Sequence, residues 1–140
     1  MNILLAVDGS PFTQKMLVYL TTHPELFGQD NQFTCLTAIA DLPPRARAAV
    51  GAEIAQGYCD DEAEKVLAPA LAFLAQHGIT PQVLHKTGHA GELIAQTAQD
   101  GGFDLVVMGS HGHSALANLV MGSVATQVLA HCTVPVLLVR

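Results

Sequence analysis

Two short stretches hold the residues best placed to do chemistry. Met108-Gly109-Ser110-His111-Gly112-His113 runs out of an apolar segment, and Gly122-Ser123-Val124 opens a segment of helical pattern. From Met108 to Ala130 there are three glycines, two histidines and three serines, but no lysine or arginine. Such a loop suits a polyphosphate held by main-chain amides. The first amides of a helix, here those of Val124 and Ala125, have no partners inside it and lie at the positive end of its dipole. Gly109 is expected to let a ligand approach the strand end, Gly112 to allow a left-handed turn, and Ser123 to cap the helix. With no cation in the loop, amides, hydroxyls and a divalent metal are left to carry the anion. The alternative is that the three glycines only shape turns and a cap.

Asp8, in Asp8-Gly9-Ser10, is the one acid at a comparable position. Either it bonds a ligand or a metal-bound water, or it prepares the turn into a helix at Pro11. His111-x-His113 can hold a metal if His85 or His89 supplies a further ligand; otherwise the pair faces solvent or phosphate. A histidine changes charge near pH 6.5, so His113 is expected to help hold phosphate in acid.

These residues need a scaffold. Asn2 to Val7 reads as a buried strand, followed by Ser10 as a cap and Pro11 in the first turn of a helix. Phe33 to Ala40 is a second strand, Pro81 to Lys86 a third near a sheet edge, and Phe103 to Met108 a fourth. Leu105-Val106-Val107-Met108 does not alternate, as expected with both faces covered. Thr133 to Val139 is the last strand. Helices are expected over Pro11 onward, Cys59 to Gln76 with a kink at Pro69, Glu92 to Gln99, and Ser123 to His131; Arg45 to Tyr58 is ambiguous. The acidic run Asp60-Asp61-Glu62 is expected at a helix N-terminus, where negative charge is favoured. The order β-α-β-α-β-α-β-α-β predicts one α/β domain over 1–140, a three-layer sandwich with a five-stranded parallel sheet of Rossmann-like or flavodoxin-like type. Ligands of such sheets bind beyond the carboxyl ends of the strands, where strand order reverses. Asp8 faces the glycine loop there if their strands are neighbours.

The 140 residues carry a net charge of −6, which argues against nucleic acid and anionic membrane as partners. No apolar run approaches the roughly 20 residues of a membrane helix, and the opening strand has no basic region of a signal peptide before it. Three widely spaced cysteines fit a reducing compartment, so a cytoplasmic location is expected. Cys35 and Cys132 are expected in the core and Cys59 in an exposed segment.

Gly109, two residues, Gly112, nine residues and Gly122-Ser123 resemble the nucleotide-binding signature of the universal stress protein family. Ile3-Leu4-Leu5-Ala6-Val7-Asp8 and Val134-Pro135-Val136-Leu137-Leu138-Val139 resemble that family's first and last strands, so the likeness spans the chain. It implies an ATP-binding regulator of the stress response, or a protein taking AMP or another adenine nucleotide, with Mg or Mn at the site as an option. It places Asp8 near adenine and ribose, Ala38 against adenine through its backbone, and Met108 and Gly109 beside the ribose. Gly112, Gly122, Ser123 and Val124 would meet the phosphates, with His113 at a position often basic in the family. It also implies a homodimer through the last strand, at Val134, Val136 and Leu138. Two other classes stay open. A slow ATPase is one, although the loop lacks the Gly-Lys-Ser/Thr of a Walker A and no cationic clamp is evident. A dimeric interaction module without nucleotide is the other.

Overall fold

The computed structural model describes residues 1–113 and 120–140. The middle of the glycine loop, 114–119, lies outside the described residues. Five parallel strands form one sheet: β1 (Asn2–Ala6), β2 (Gln32–Ile39), β3 (Gln82–Thr87), β4 (Leu105–Gly109) and β5 (Val136–Val139), in the order β3-β2-β1-β4-β5. This is the Rossmann order rather than that of flavodoxin, and it reverses between β1 and β4. The two strands are in register from Ile3 opposite Leu105 to Ala6 opposite Met108, so their carboxyl ends lie side by side.

Burial explains the sequence pattern of each strand. Ile3, Leu4 and Leu5 of β1 and Val106 and Val107 of β4 are fully buried, because helices cover both faces. Alternate residues serve two cores. Ile3, Leu5, Val7 and Val107 pack under α1 (Pro11–Thr22) and α4 (Ala52–Gln76). Leu4, Ala6, Leu36, Val106 and Met108 pack under α5 (Ala90–Asp100) and α6 (Ser123–His131). The outer strands differ: all six residues of β3 are exposed, as its polar content predicts for an edge, and β5 is half-buried throughout.

The helices begin where their caps allow. Ser10 accepts the Thr13 amide at 3.4 Å and Pro11 occupies the first turn, as expected. Two short helices, α2 (Pro24–Phe27) and α3 (Pro44–Val50), were not expected from the pattern. α4 corrects the sequence reading most. It starts at Ala52, so the run Asp60-Asp61-Glu62 lies in its interior, and Glu53 is the acid of its first turn. Its start is masked in sequence because Ile54 and Tyr58 are exposed and carry no core periodicity. Cys59, expected to be exposed, faces the core instead with 5% exposure, because α4 has already begun seven residues earlier. Pro69 lies within α4 without ending it. β5 is shorter than expected, and Val134 precedes it.

Candidate functional site

The carboxyl ends of β1, β2 and β4 open onto a cleft of about 270 Å³, on the side of α5 and α6. Asp8, Ala38, Met108, Gly109, Gly112, His113, Gly122, Ser123 and Val124 all line it. The topology thus brings the suggested nucleotide-site residues onto one lining. It adds residues that sequence reasoning missed. Leu36 extends the wall on β2, and Ala90 and Ile94, four apart on α5, form the opposite wall. Their helical spacing was legible, but only the strand order puts α5 beside this cleft.

Asp8 prepares the turn into α1, as one of its two readings expects. Its Oδ1 accepts the Ser10 amide at 2.9 Å and the Thr13 hydroxyl at 2.8 Å, which ties the turn to the start of α1. Thr13 Oγ1 in turn accepts the Asp8 amide at 3.0 Å. The other oxygen, Oδ2, faces Gly112: a Cβ on Gly112 would lie 2.8 Å from it. The carboxylate therefore sets the turn with one oxygen and meets the glycine loop with the other.

The three glycines are needed for reasons other than those expected. Gly112 is not in the left-handed region; it is glycine because the Asp8 carboxylate occupies the place of a side chain. Gly109 does not leave an open approach in its Cβ direction, where a side chain would meet Phe12 Cβ at 2.6 Å. α1 packs directly on that backbone. At Gly122 a Cβ would sit 3.1 Å from His111 Cα and from the Ser110 carbonyl, and the Gly122 amide donates to that carbonyl at 2.7 Å. The loop's two ends are thus closed by main chain against main chain, and the cleft floor is backbone.

α6 opens onto this floor. Its cap is Gly122, not Ser123, which is already the first helical residue; no side chain caps the helix and its first turn holds no acid. A glycine is preferred here because any side chain at the cap would strike His111. The consequence is a helix N-terminus that no side chain caps among the described residues. Ser123 is exposed beside them.

The histidines flank the floor. His111 Nδ1 shares a hydrogen bond of 2.8 Å with Ser110 Oγ, and its ring lies 4.9 Å from that of Phe12. His113 Nε2 donates to the Asp8 carbonyl at 2.5 Å, joining the loop after β4 to the end of β1. His85 does not join them. It sits on the edge strand and pairs with Asp60 of α4 at 3.1 Å. Among the described residues no three metal-ligating side chains come together, so the metal site sketched from His111-x-His113 with His85 or His89 is not formed. No lysine or arginine among the described residues lines the cleft. Among the described residues, no helix is long and apolar enough to cross a membrane.

Comparison with known proteins gives one answer. The model of the universal stress protein family matches residues 1–140. The chain is 40% identical over 140 residues to a universal stress protein of Thermus aquaticus, covering 99% of this chain and 98% of that one. It is 33% identical over 139 residues to one of Synechocystis sp., covering 99% of this chain but only 42% of that relative's length. Among solved structures it resembles universal stress protein UspA from Lactobacillus plantarum, with a TM-score of 0.79, 19% identity and coverage of 100% and 97% of the two chains. It also resembles a universal stress protein in complex with cAMP, with a TM-score of 0.70, 20% identity and coverage of 100% and 97%. A family protein from Arabidopsis thaliana with AMP bound gives a TM-score of 0.67 at 16% identity, over 99% and 90%. At these identities the structures speak for the fold.

Proposed function

This chain belongs to the universal stress protein family, and we propose that its cleft takes an adenine nucleotide, ATP first among them, in a regulatory role with little or slow hydrolysis. The observation that carries this reading is the uncapped start of α6. Its first amides, with no side-chain cap among the described residues, open onto a floor of glycine backbone, in the same cleft as Asp8 and Ala38. Phosphates supply the acceptors that those amides lack. The adenine and ribose lie toward β2 and β1, with Ala38 meeting the base through its backbone, Asp8 Oδ2 near the ribose, and Met108 and Gly109 beside it. Ala90, Ile94 and Leu36 give the base an apolar wall. Relatives of the same fold bound to cAMP and AMP support the ligand class.

The cleft argues for binding over turnover. Phosphoryl transfer uses a cationic clamp on the charge that develops at the transferred group, and no lysine or arginine among the described residues lines this cleft. Any Mg or Mn would arrive with the phosphates, since among the described residues Asp8 is the only carboxylate on the lining. The test is to denature freshly purified protein, remove the chain and identify the released small molecules by mass spectrometry, with titration of ATP and Mg²⁺ beside it. A released or titrated adenine nucleotide is the expected result. Neither release nor binding would leave the nucleotide-free dimeric module as the better reading.

A further inference from the structure

The bond between His113 and the Asp8 carbonyl fixes more than a loop position. A carbonyl oxygen only accepts, so Nε2 carries the hydrogen of this bond. In the neutral ring Nδ1 is then a bare lone pair, and it is the only other polar atom of the ring. His113 lines the cleft together with the α6 N-terminus. An ionised phosphate oxygen brought to that ring finds no donor on it. Once a proton is added at Nδ1, the ring donates at both nitrogens, holding the Asp8 carbonyl with one and phosphate with the other.

We propose that His113 couples nucleotide binding to the uptake of one proton, so that the cleft closes more tightly on phosphate as pH falls. The inference rests on the reading of the cleft as a nucleotide site. The proton comes from solvent and ends on Nδ1, while Nε2 keeps its bond to Asp8. The titratable groups sharing the cleft lining with His113 are Asp8, from the end of β1, and His111, from the same loop. The Asp8 carboxylate and the arriving phosphates favour the imidazolium, and a positive charge on His111 would oppose it. α5 and α6 bring no titratable side chain to the lining, and α1 contributes only Thr13. The sign follows. Bound phosphate stabilises the protonated ring, so affinity rises toward acid and falls toward alkali. Linkage of a single proton is expected to make binding about tenfold tighter at pH 6 than at pH 8.

The test is titration calorimetry of the full chain with ATP at pH 6, 7 and 8, in buffers of different ionisation enthalpy. His113→Asn is measured in parallel. Asparagine can keep an N–H toward the Asp8 carbonyl yet takes up no proton, and the pairing cancels the protonation of ATP itself. The wild type is expected to take up close to one proton more than the variant near pH 7.5 and to show the steeper pH dependence. Equal proton counts in two chains that both bind ATP would overturn the coupling and leave the nucleotide site standing. No binding by the wild type at any pH would overturn both. Nitrogen NMR of the histidine rings reads the same point without a variant. It should show His113 as the Nε2–H form in the free protein and as imidazolium in the complex at pH 7.5, and an unchanged neutral ring in the complex would overturn the coupling.

Discussion

Single residues at this site carry paired duties, and their substitutions separate them. Gly109→Ala places a methyl group 2.6 Å from Phe12 Cβ, so α1 must shift. Overpacking of this kind costs about 1–3 kcal/mol, and urea unfolding is expected to show it even with no nucleotide present. Cys35 gives a test in alkali. It is fully buried, and burial pushes its thiol up from 9.0 to about 12. The unfolded chain ionises this thiol above pH 9 while the folded chain keeps it neutral. Stability is therefore full below pH 9 and declines through the window from 9 to 12, at up to about 1.4 kcal/mol per pH unit. Cys35→Val is expected to flatten that part of the decline, measured as the difference in urea midpoint between pH 8 and pH 10 for the two chains. The glycines that line the cleft were legible because Gly109, Gly112 and Gly122 stand at a specific spacing. The reasons for those glycines were not legible. Each depends on a neighbour far away in sequence: Phe12 for Gly109 and Asp8 for Gly112, while Gly122 depends on the return of the loop to Ser110 and His111.

At the scale of elements, α6 makes the sharpest prediction because stability and binding move in opposite directions. Its first turn holds no acid and its cap bonds no side chain. Ser123→Asp puts a carboxylate on an exposed first-turn position, where the dipole favours it by about 0.3–1 kcal/mol. The melting temperature of the free protein is expected to rise slightly while ATP affinity falls at least tenfold by calorimetry. Unchanged affinity would place the phosphates elsewhere. The elements best read from sequence were those with one clear physical signal. α1 has Ser10 and Pro11, β4 has its apolar run, and α6 begins and ends where the pattern puts it. α4 was half read, since its core stripe Ala63, Leu67, Ala70 and Leu74 is regular whereas its first turns show Ile54 to solvent and hold Gly57. An acidic run marks a helix start only when nothing upstream already forms the helix, and here Ala52 to Cys59 does.

For the whole molecule, the sheet has two edges and they are unlike. β3 shows all six residues, whereas β5 keeps Val136, Leu137, Leu138 and Val139 half-covered. An apolar edge strand invites pairing with another chain, and the reading of β5 as a homodimer contact places Val136 and Leu138 in it, with Val134 just before the strand. Val136→Lys is expected to convert a dimer to monomer in light scattering, with the fold retained by circular dichroism. An unchanged mass would move the contact off this strand. The strand order has a further consequence, for the order of events during synthesis. β1 is made first yet stands in the middle of the sheet, bonded to β2 on one side and to β4 on the other. Until Leu105 to Gly109 have left the ribosome, Ile3, Leu4 and Leu5 present a bare apolar edge. That side of β1 therefore waits for β4, and the cleft, which needs Met108 and Gly109 of β4 with Gly122 to Val124, forms only after they are made.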